Sequence, residues 1–155
     1  MADGRDVTML DDAALIARFP GQSLDLDNRA FYAGWLVKEL RLNRCADCGR
    51  WHHPPQPVCP NCWSERVVPT RVEGRGTIHL LIRLHQGPAA PGVDYSAGPY
   101  PVAVVELDEQ PALRFTSTLV GYEPADLVIG TRVELDWIER SGAPFPVFRP
   151  LRGRP

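Results

Sequence analysis

Residues 45–62 read C-A-D-C-G-R-W-H-H-P-P-Q-P-V-C-P-N-C. Cys45 and Cys48 form one C-x-x-C pair, and Cys59 and Cys62 form a second, ten residues further on. Each pair can set two thiolates on one tight turn, and two such turns facing each other make a tetrahedral four-sulfur site. The chain has no other cysteine, so every thiol belongs to this cluster. Gly49 follows the first pair, where a knuckle needs a residue that tolerates positive φ. Pro54, Pro55 and Pro57 stiffen the insert, which is short but long enough to turn back.

Two disulfides are the competing reading. Residues 1–10 carry Asp3, Arg5 and Asp6 where a secretory leader would have an apolar run, so a reducing compartment is expected. A thioredoxin-like site needs one C-x-x-C in a βαβ setting, which the pattern does not offer. Zinc is the expected metal. Iron also suits four sulfurs, which leaves a rubredoxin-like electron carrier as an alternative.

Composition bounds the rest. The chain has 155 residues, 44% of them hydrophobic, and a formal net charge of −2. Near-neutrality gives no bulk pull toward nucleic acid. No stretch approaches the apolar length of a membrane span, so the expectation is a soluble, cytoplasmic protein without a membrane partner.

The run Asp11 to Phe19 reads as a short helix stopped by Pro20-Gly21, and residues 1–10 read as loose. A second helix is expected over 27–39, with Phe31 and Trp35 four apart on one side. This aromatic stripe is either packing or partner contact. Leu40 to Arg44 reads as a strand entering the first knuckle. After Cys62 the apolar period becomes two, and segments 66–72, 76–84, 101–107, 113–120 and 132–138 read as five strands. A short helical turn is expected between the last two, within 121–130. Five strands with that insertion favour an OB-like barrel over an SH3-like one. The connection from His85 to Pro101 is long and rich in glycine and proline, and Tyr95 and Tyr100 give it the character of a contact loop.

Catalytic patterns are poor. No serine sits in a nucleophile elbow, and no P-loop or dinucleotide glycine pattern occurs. His52 and His53 lie inside the ribbon insert, where packing or solvent-facing roles are expected. His79 and His85 are strand or strand-end histidines without a nucleophile in sequence context. Gly74-Arg75-Gly76 suits a sharp turn, with Arg75 free to meet an anion.

The order F-Y-A-G-W, L-R-L-N-R-C-A-D-C-G, H-P-P-Q-P-V-C-P-N-C, E-G-R-G-T-I, P-Y-P-V-A-V-V-E-L-D, I-G-T-R-V-E-L and P-V-F-R-P resembles the acyl-CoA-associated OB-fold family with an N-terminal rubredoxin-like zinc ribbon. The match runs from about Ala30 to Pro150. It implies a mainly β chain: an N-terminal helical segment over 1–39, a zinc ribbon over 40–68 and a five-stranded OB-fold barrel over 69–150. It implies one structural zinc on Cys45, Cys48, Cys59 and Cys62, and no catalytic residue. It also implies a non-catalytic accessory subunit of a thiolase-fold or lipid-transfer-protein-like thiolase enzyme. Such complexes act on acyl-CoA thioesters by acyl transfer, carbon–carbon bond formation or retro-aldol cleavage, as in steroid side-chain degradation. Coenzyme A thioester is then a ligand of the complex, and Phe31, Trp35, Arg75, Arg83, Tyr95 and Tyr100 are candidate contacts to it or to the partner. Trp51-His52-His53 departs from the family's usual aromatic-aliphatic stretch, and the first 30 residues exceed the minimal module. A single-stranded nucleic-acid binder is the rival class, but its barrel strands would carry more exposed aromatics than Phe115 and Trp137.

Overall fold

The computed structural model describes residues 11–87 and 93–152. Residues 1–10, expected to be loose, and 88–92 of the long connection lie outside the described residues. The chain divides into two compact units. Unit 1 takes the described residues through Val72 together with Gly142–Pro144, and unit 2 takes Glu73–Ser141 and the chain from Phe145 onward. The protein is mainly β, with two short helices.

In unit 1, helix α1 spans Asp12–Arg18. Asp11 caps it by accepting from the Ala13 N–H at 3.2 Å. Asp12 in the first turn and Arg18 in the last match the helix dipole. Helix α2 spans Arg29–Leu36, shorter than the expected 27–39. The Lys38 N–H bonds the Trp35 carbonyl at 2.9 Å and the Glu39 N–H bonds the Gly34 carbonyl at 2.9 Å. Lys38 between them takes φ 57°. These are the two bonds of a Schellman stop, with lysine where glycine is usual.

Strands β1 (Arg41–Cys45), β2 (Trp51–His52) and β3 (Val67–Arg71) form one antiparallel sheet in the order β2-β1-β3. Leu40 and Leu42, two residues apart and so on one face, are fully buried. The 66–72 segment was expected in the barrel; instead β3 pairs along all of β1, from Arg41↔Arg71 to Cys45↔Val67. Periodicity identifies a strand but not its neighbour, which is why the pattern misled.

Unit 2 is built on a five-stranded sheet in the order β6-β5-β4-β7-β8. Its strands are β4 (Arg75–Leu84), β5 (Tyr100–Leu107), β6 (Arg114–Thr118), β7 (Arg132–Arg140) and β8 (Ala143–Pro150). The meander β4-β5-β6 is antiparallel, and β7 returns to pair with the start of β4. A parallel bridge between Leu119 and Phe148, with the Val120 N–H on the Phe148 carbonyl at 2.9 Å, brings the two ends of the sheet together. A 3₁₀ turn at Pro124–Asp126 lies between β6 and β7, where the sequence placed a helical turn. This is the strand order of a five-stranded Greek-key barrel of the OB type. The fifth strand, β8, was not read as one: Pro144, Pro146 and Pro150 interrupt its pattern, and proline is confined to sheet edges. Here β8 is the last strand of the sheet, and the Pro146 carbonyl accepts from the Ser117 hydroxyl at 2.5 Å.

The barrel core is Ile78, Val105, Leu107, Phe115, Val133, Val147 and Phe148. Gly76 lets β4 approach β5 closely: a Cβ there would lie 2.3 Å from the Glu106 carbonyl oxygen and 2.6 Å from Val105 Cγ1.

Candidate metal centre

The two C-x-x-C turns fold as matching knuckles. The Cys45 N–H bonds the Arg50 carbonyl and the Cys59 N–H bonds the Ser64 carbonyl, each at 2.9 Å. The Gly49 N–H returns to the Cys45 carbonyl at 3.0 Å, and the Trp63 N–H returns to the Cys59 carbonyl at 2.9 Å. Gly49 takes φ 73° and Trp63 takes φ 62°, so the position after each pair is left-handed. Glycine there is ordinary; tryptophan is a steric outlier.

The four Sγ atoms all lie within 4.8 Å of one another. Cys45 and Cys62 are 3.6 Å apart and Cys48 and Cys59 are 3.7 Å apart, far beyond a disulfide bond. A tetrahedral zinc with Zn–S bonds of about 2.3 Å sets sulfur–sulfur edges at about 3.8 Å. The thiol set therefore fits zinc. Main-chain amides face the sulfurs. The Cys48 amide leads in lowering the Cys45 thiol to about 7, and the Arg50 amide leads in lowering Cys48. The Ser64 amide pulls Cys62 down as well, but loss of water and the other three thiols push it up to about 12. Four thiols this close cannot all ionise unless a cation sits among them. Asn61 Nδ2 also donates to Cys48 Sγ at 3.7 Å.

Cys45 and Cys59 are buried, whereas Cys48 and Cys62 reach the surface. His52, the last residue of β2, is buried, and burial lowers its pKa. His53 stacks on Phe31 with ring centroids 5.3 Å apart, and burial, with the neighbouring His52 second, lowers it to about 4. Both histidines pack; neither joins the sulfur cluster.

The structure separates the other candidates. Phe31 and Trp35 do not form a free stripe: each is 8% exposed. They pack with Phe19 and Tyr32 at ring distances of 5.0–5.9 Å. Of the two readings of the stripe, packing is the one the structure describes, and contact with a partner stays a proposal. Arg75 and Arg83 stand eight residues apart on β4, roughly 25 Å along an extended strand, so they cannot meet one phosphate group. Arg83 Nη2 donates to the Leu127 carbonyl at 3.0 Å. Tyr95 is half-buried in the long connection, where its carbonyl accepts from the Gly98 N–H at 3.2 Å. Tyr100 is not a loop residue but the first of β5, opposite Leu84. The sequence reading missed Trp63. Laying C-A-D-C-G over C-P-N-C-W would have found it, because the second knuckle carries tryptophan where the first carries glycine.

Comparison with known proteins gives the same two-part layout. A family model described as ChsH2, rubredoxin-like zinc ribbon domain, matches residues 33–68. A second, described as ChsH2, C-terminal OB-fold domain, matches residues 70–137. The probable enoyl-CoA hydratase alpha subunit of Thermomonospora curvata is 36% identical over 132 residues, covering 84% of this chain and 40% of the relative. The 3-oxo-4,17-pregnadiene-20-carboxyl-CoA hydratase alpha subunit of Mycobacterium tuberculosis is 34% identical over 116 residues, covering 73% of this chain and 34% of the relative. This chain thus spans less than half the length of those two hydratase subunits. A DUF35 domain-containing scaffold protein of Methanothermobacter thermautotrophicus is 32% identical over 98 residues, covering 62% of this chain and 69% of the relative. A solved structure described as Ltp2-ChsH2(DUF35) aldolase matches with a TM-score of 0.73 and 35% identity, covering 83% of this chain and 98% of that one. The chain belongs to the family of ChsH2-type proteins, in which a rubredoxin-like zinc ribbon is followed by a C-terminal OB-fold.

Proposed function

We propose that this protein is a non-catalytic zinc-ribbon and OB-fold subunit of an enzyme complex that acts on acyl-CoA thioesters, with a thiolase-fold protein supplying the chemistry. The observation that carries this reading is the match to a chain of the structure described as Ltp2-ChsH2(DUF35) aldolase, which covers nearly all of that chain. The name of the scaffold relative points the same way. Every thiol of the chain lies in one cluster, and His52 and His53 are held in packing, so none of these groups is poised as nucleophile or base.

Cys45, Cys48, Cys59 and Cys62 hold one structural zinc, which ties the two knuckles together. Four protein ligands leave no open position for substrate. The chain divides functionally into the 1–39 segment, the 40–68 ribbon and the 69–150 barrel, and bridges subunits of the complex. Arg75 or Arg83, but not both together, meets a coenzyme A phosphate, and Tyr95 and Tyr100 flank the partner. The steroid-CoA name of the Mycobacterium tuberculosis relative makes steroid acyl-CoA the first substrate class to test.

The hydratase names of two relatives favour a second reading, in which this module serves an acyl-CoA hydratase. One experiment separates the two. The purified chain is mixed in turn with a lipid-transfer-protein-like thiolase and with an acyl-CoA hydratase, and complex formation is followed by sedimentation together with turnover of a steroid acyl-CoA. A complex with the thiolase, inactive when the chain is alone, supports the proposal. A complex with the hydratase alone overturns it.

A further inference from the structure

Trp63 is 79% exposed, among the most exposed of the large apolar side chains. Its backbone is left-handed at φ 62°, although it belongs to a well-formed knuckle. The sister knuckle places glycine at the same position with the same hydrogen bond. The fold therefore works better with glycine here, and a bulky side chain in this conformation is held at a cost. That cost returns nothing to the interior: among the described residues Trp63 makes no ring–ring or cation–π contact. The indole instead borders an open groove of about 310 Å³ lined by Gln56, Pro57, Val58, Cys59 and Pro60. The backbone N–H of Trp63 is tied to the Cys59 carbonyl, so the knuckle that gathers the sulfurs also fixes the main chain that carries the indole. An exposed indole carried on a fixed turn beside prolines is placed for binding, since the main chain needs no further ordering.

We propose that Trp63 is the anchor by which the ribbon docks on the thiolase-fold partner, its indole entering an apolar cleft of that protein while the Pro57–Pro60 rim lies against the cleft's edge. The inference rests on the partner reading above and names the surface that serves it. Charge points to a protein occupant. Arg66, three residues on, is paired with Asp47, which weakens its pull on a phosphate backbone or an anionic lipid surface. Area argues against a second copy. A stable pair needs about 800 Å² from each partner, and one indole with its proline rim supplies only a fraction of that. Such a patch suits the centre of a wider surface made with a different, larger protein. The solved relative, whose chain this one covers almost completely, is described together with a second protein, Ltp2.

The test uses the full zinc-loaded chain, Ltp2 as the probe, and the variants Trp63→Gly and Trp63→Phe. Trp63→Gly is expected to keep its metal and to melt at the same temperature or higher, since glycine is at ease in this conformation. Its affinity for Ltp2 is expected to fall by about thirtyfold or more, with Trp63→Phe in between. In the unmodified chain, tryptophan emission should shift to the blue on complex formation, and Trp63→Gly should lose that shift. Unchanged affinity of Trp63→Gly overturns the inference and leaves the partner reading standing. A Trp63→Gly chain that loses zinc or melts much lower also overturns it, because Trp63 is then structural. If removing the indole abolishes self-association instead, the occupant is a second copy and the inference fails. If the unmodified chain does not bind Ltp2 at all, the partner reading fails and the inference with it.

Discussion

Trp35 and Trp63 lie in one unit and in opposite environments. Trp35 is wedged among Phe19, Phe31 and Tyr32. Removing such a side chain leaves a cavity that the neighbours cannot fill. Trp35→Ala should therefore destabilise the protein by about 3–5 kcal/mol, and thermal melting of the isolated chain should show a midpoint lower by about 10 °C or more. A melting point within about 2 °C of the parent's would return Trp35 to the surface. His53 makes a pH prediction. Burial favours its neutral form, with a folded pKa of about 4 against about 6.5 in the unfolded chain. The unfolded state then binds the proton more readily. Stability should be constant above about pH 6.5, fall as the pH drops toward about 4, and level off below that, with a total loss of about 3 kcal/mol. Denaturant unfolding at pH 7, 5.5 and 4.5, with zinc content followed in parallel, checks it. His53→Phe should flatten the curve if His53 is the source. At this scale the cysteines were legible in the sequence because ligand chemistry demands their spacing. The aromatic roles were not. Four-residue spacing puts Phe31 and Trp35 on one side of a helix, yet says nothing about what covers that side.

At the scale of elements, the ribbon depends on its knuckles. Its sheet holds three short strands, and β2 has two residues. A lobe this thin gains its folding energy from metal binding. Cys59→Ser, or a strong chelator, should abolish zinc binding and the near-ultraviolet signal of Trp51. Elemental analysis and circular dichroism on the same sample decide it, and a ribbon signal that survives complete metal loss would contradict the account. The barrel has its own tight point at Gly76. Gly76→Ala should cost at least about 2 kcal/mol, since main chain rather than a flexible side chain would have to move. A denaturant midpoint equal to the parent's would show that β4 and β5 can separate without loss. Both helices followed from stop signals and period, and the 3₁₀ turn from its place between two strands of a five-stranded barrel. Two strand assignments did not: β3 went to the ribbon, and β8 was hidden by its prolines. Alternation reports which face of a strand is buried, while pairing partners are chosen by long-range closure.

For the whole molecule, family membership joins what the residues show separately. A four-sulfur centre, a closed five-stranded sheet and thiols gathered in one cluster suit the accessory-subunit role proposed above. Among the described residues no helix is long and apolar enough to cross a membrane. The layout of ribbon followed by barrel was legible because each part has its own period and its own chemistry. The contact surfaces were not, because an interface residue is defined by another chain. The most direct test is the turnover of a steroid acyl-CoA by a lipid-transfer-protein-like thiolase, measured with and without this chain, beside the chain alone. The account predicts no turnover by the chain alone, and activity of the thiolase that rises with added chain and saturates at a fixed stoichiometry. Turnover by the isolated chain, or a thiolase indifferent to its presence, would contradict it.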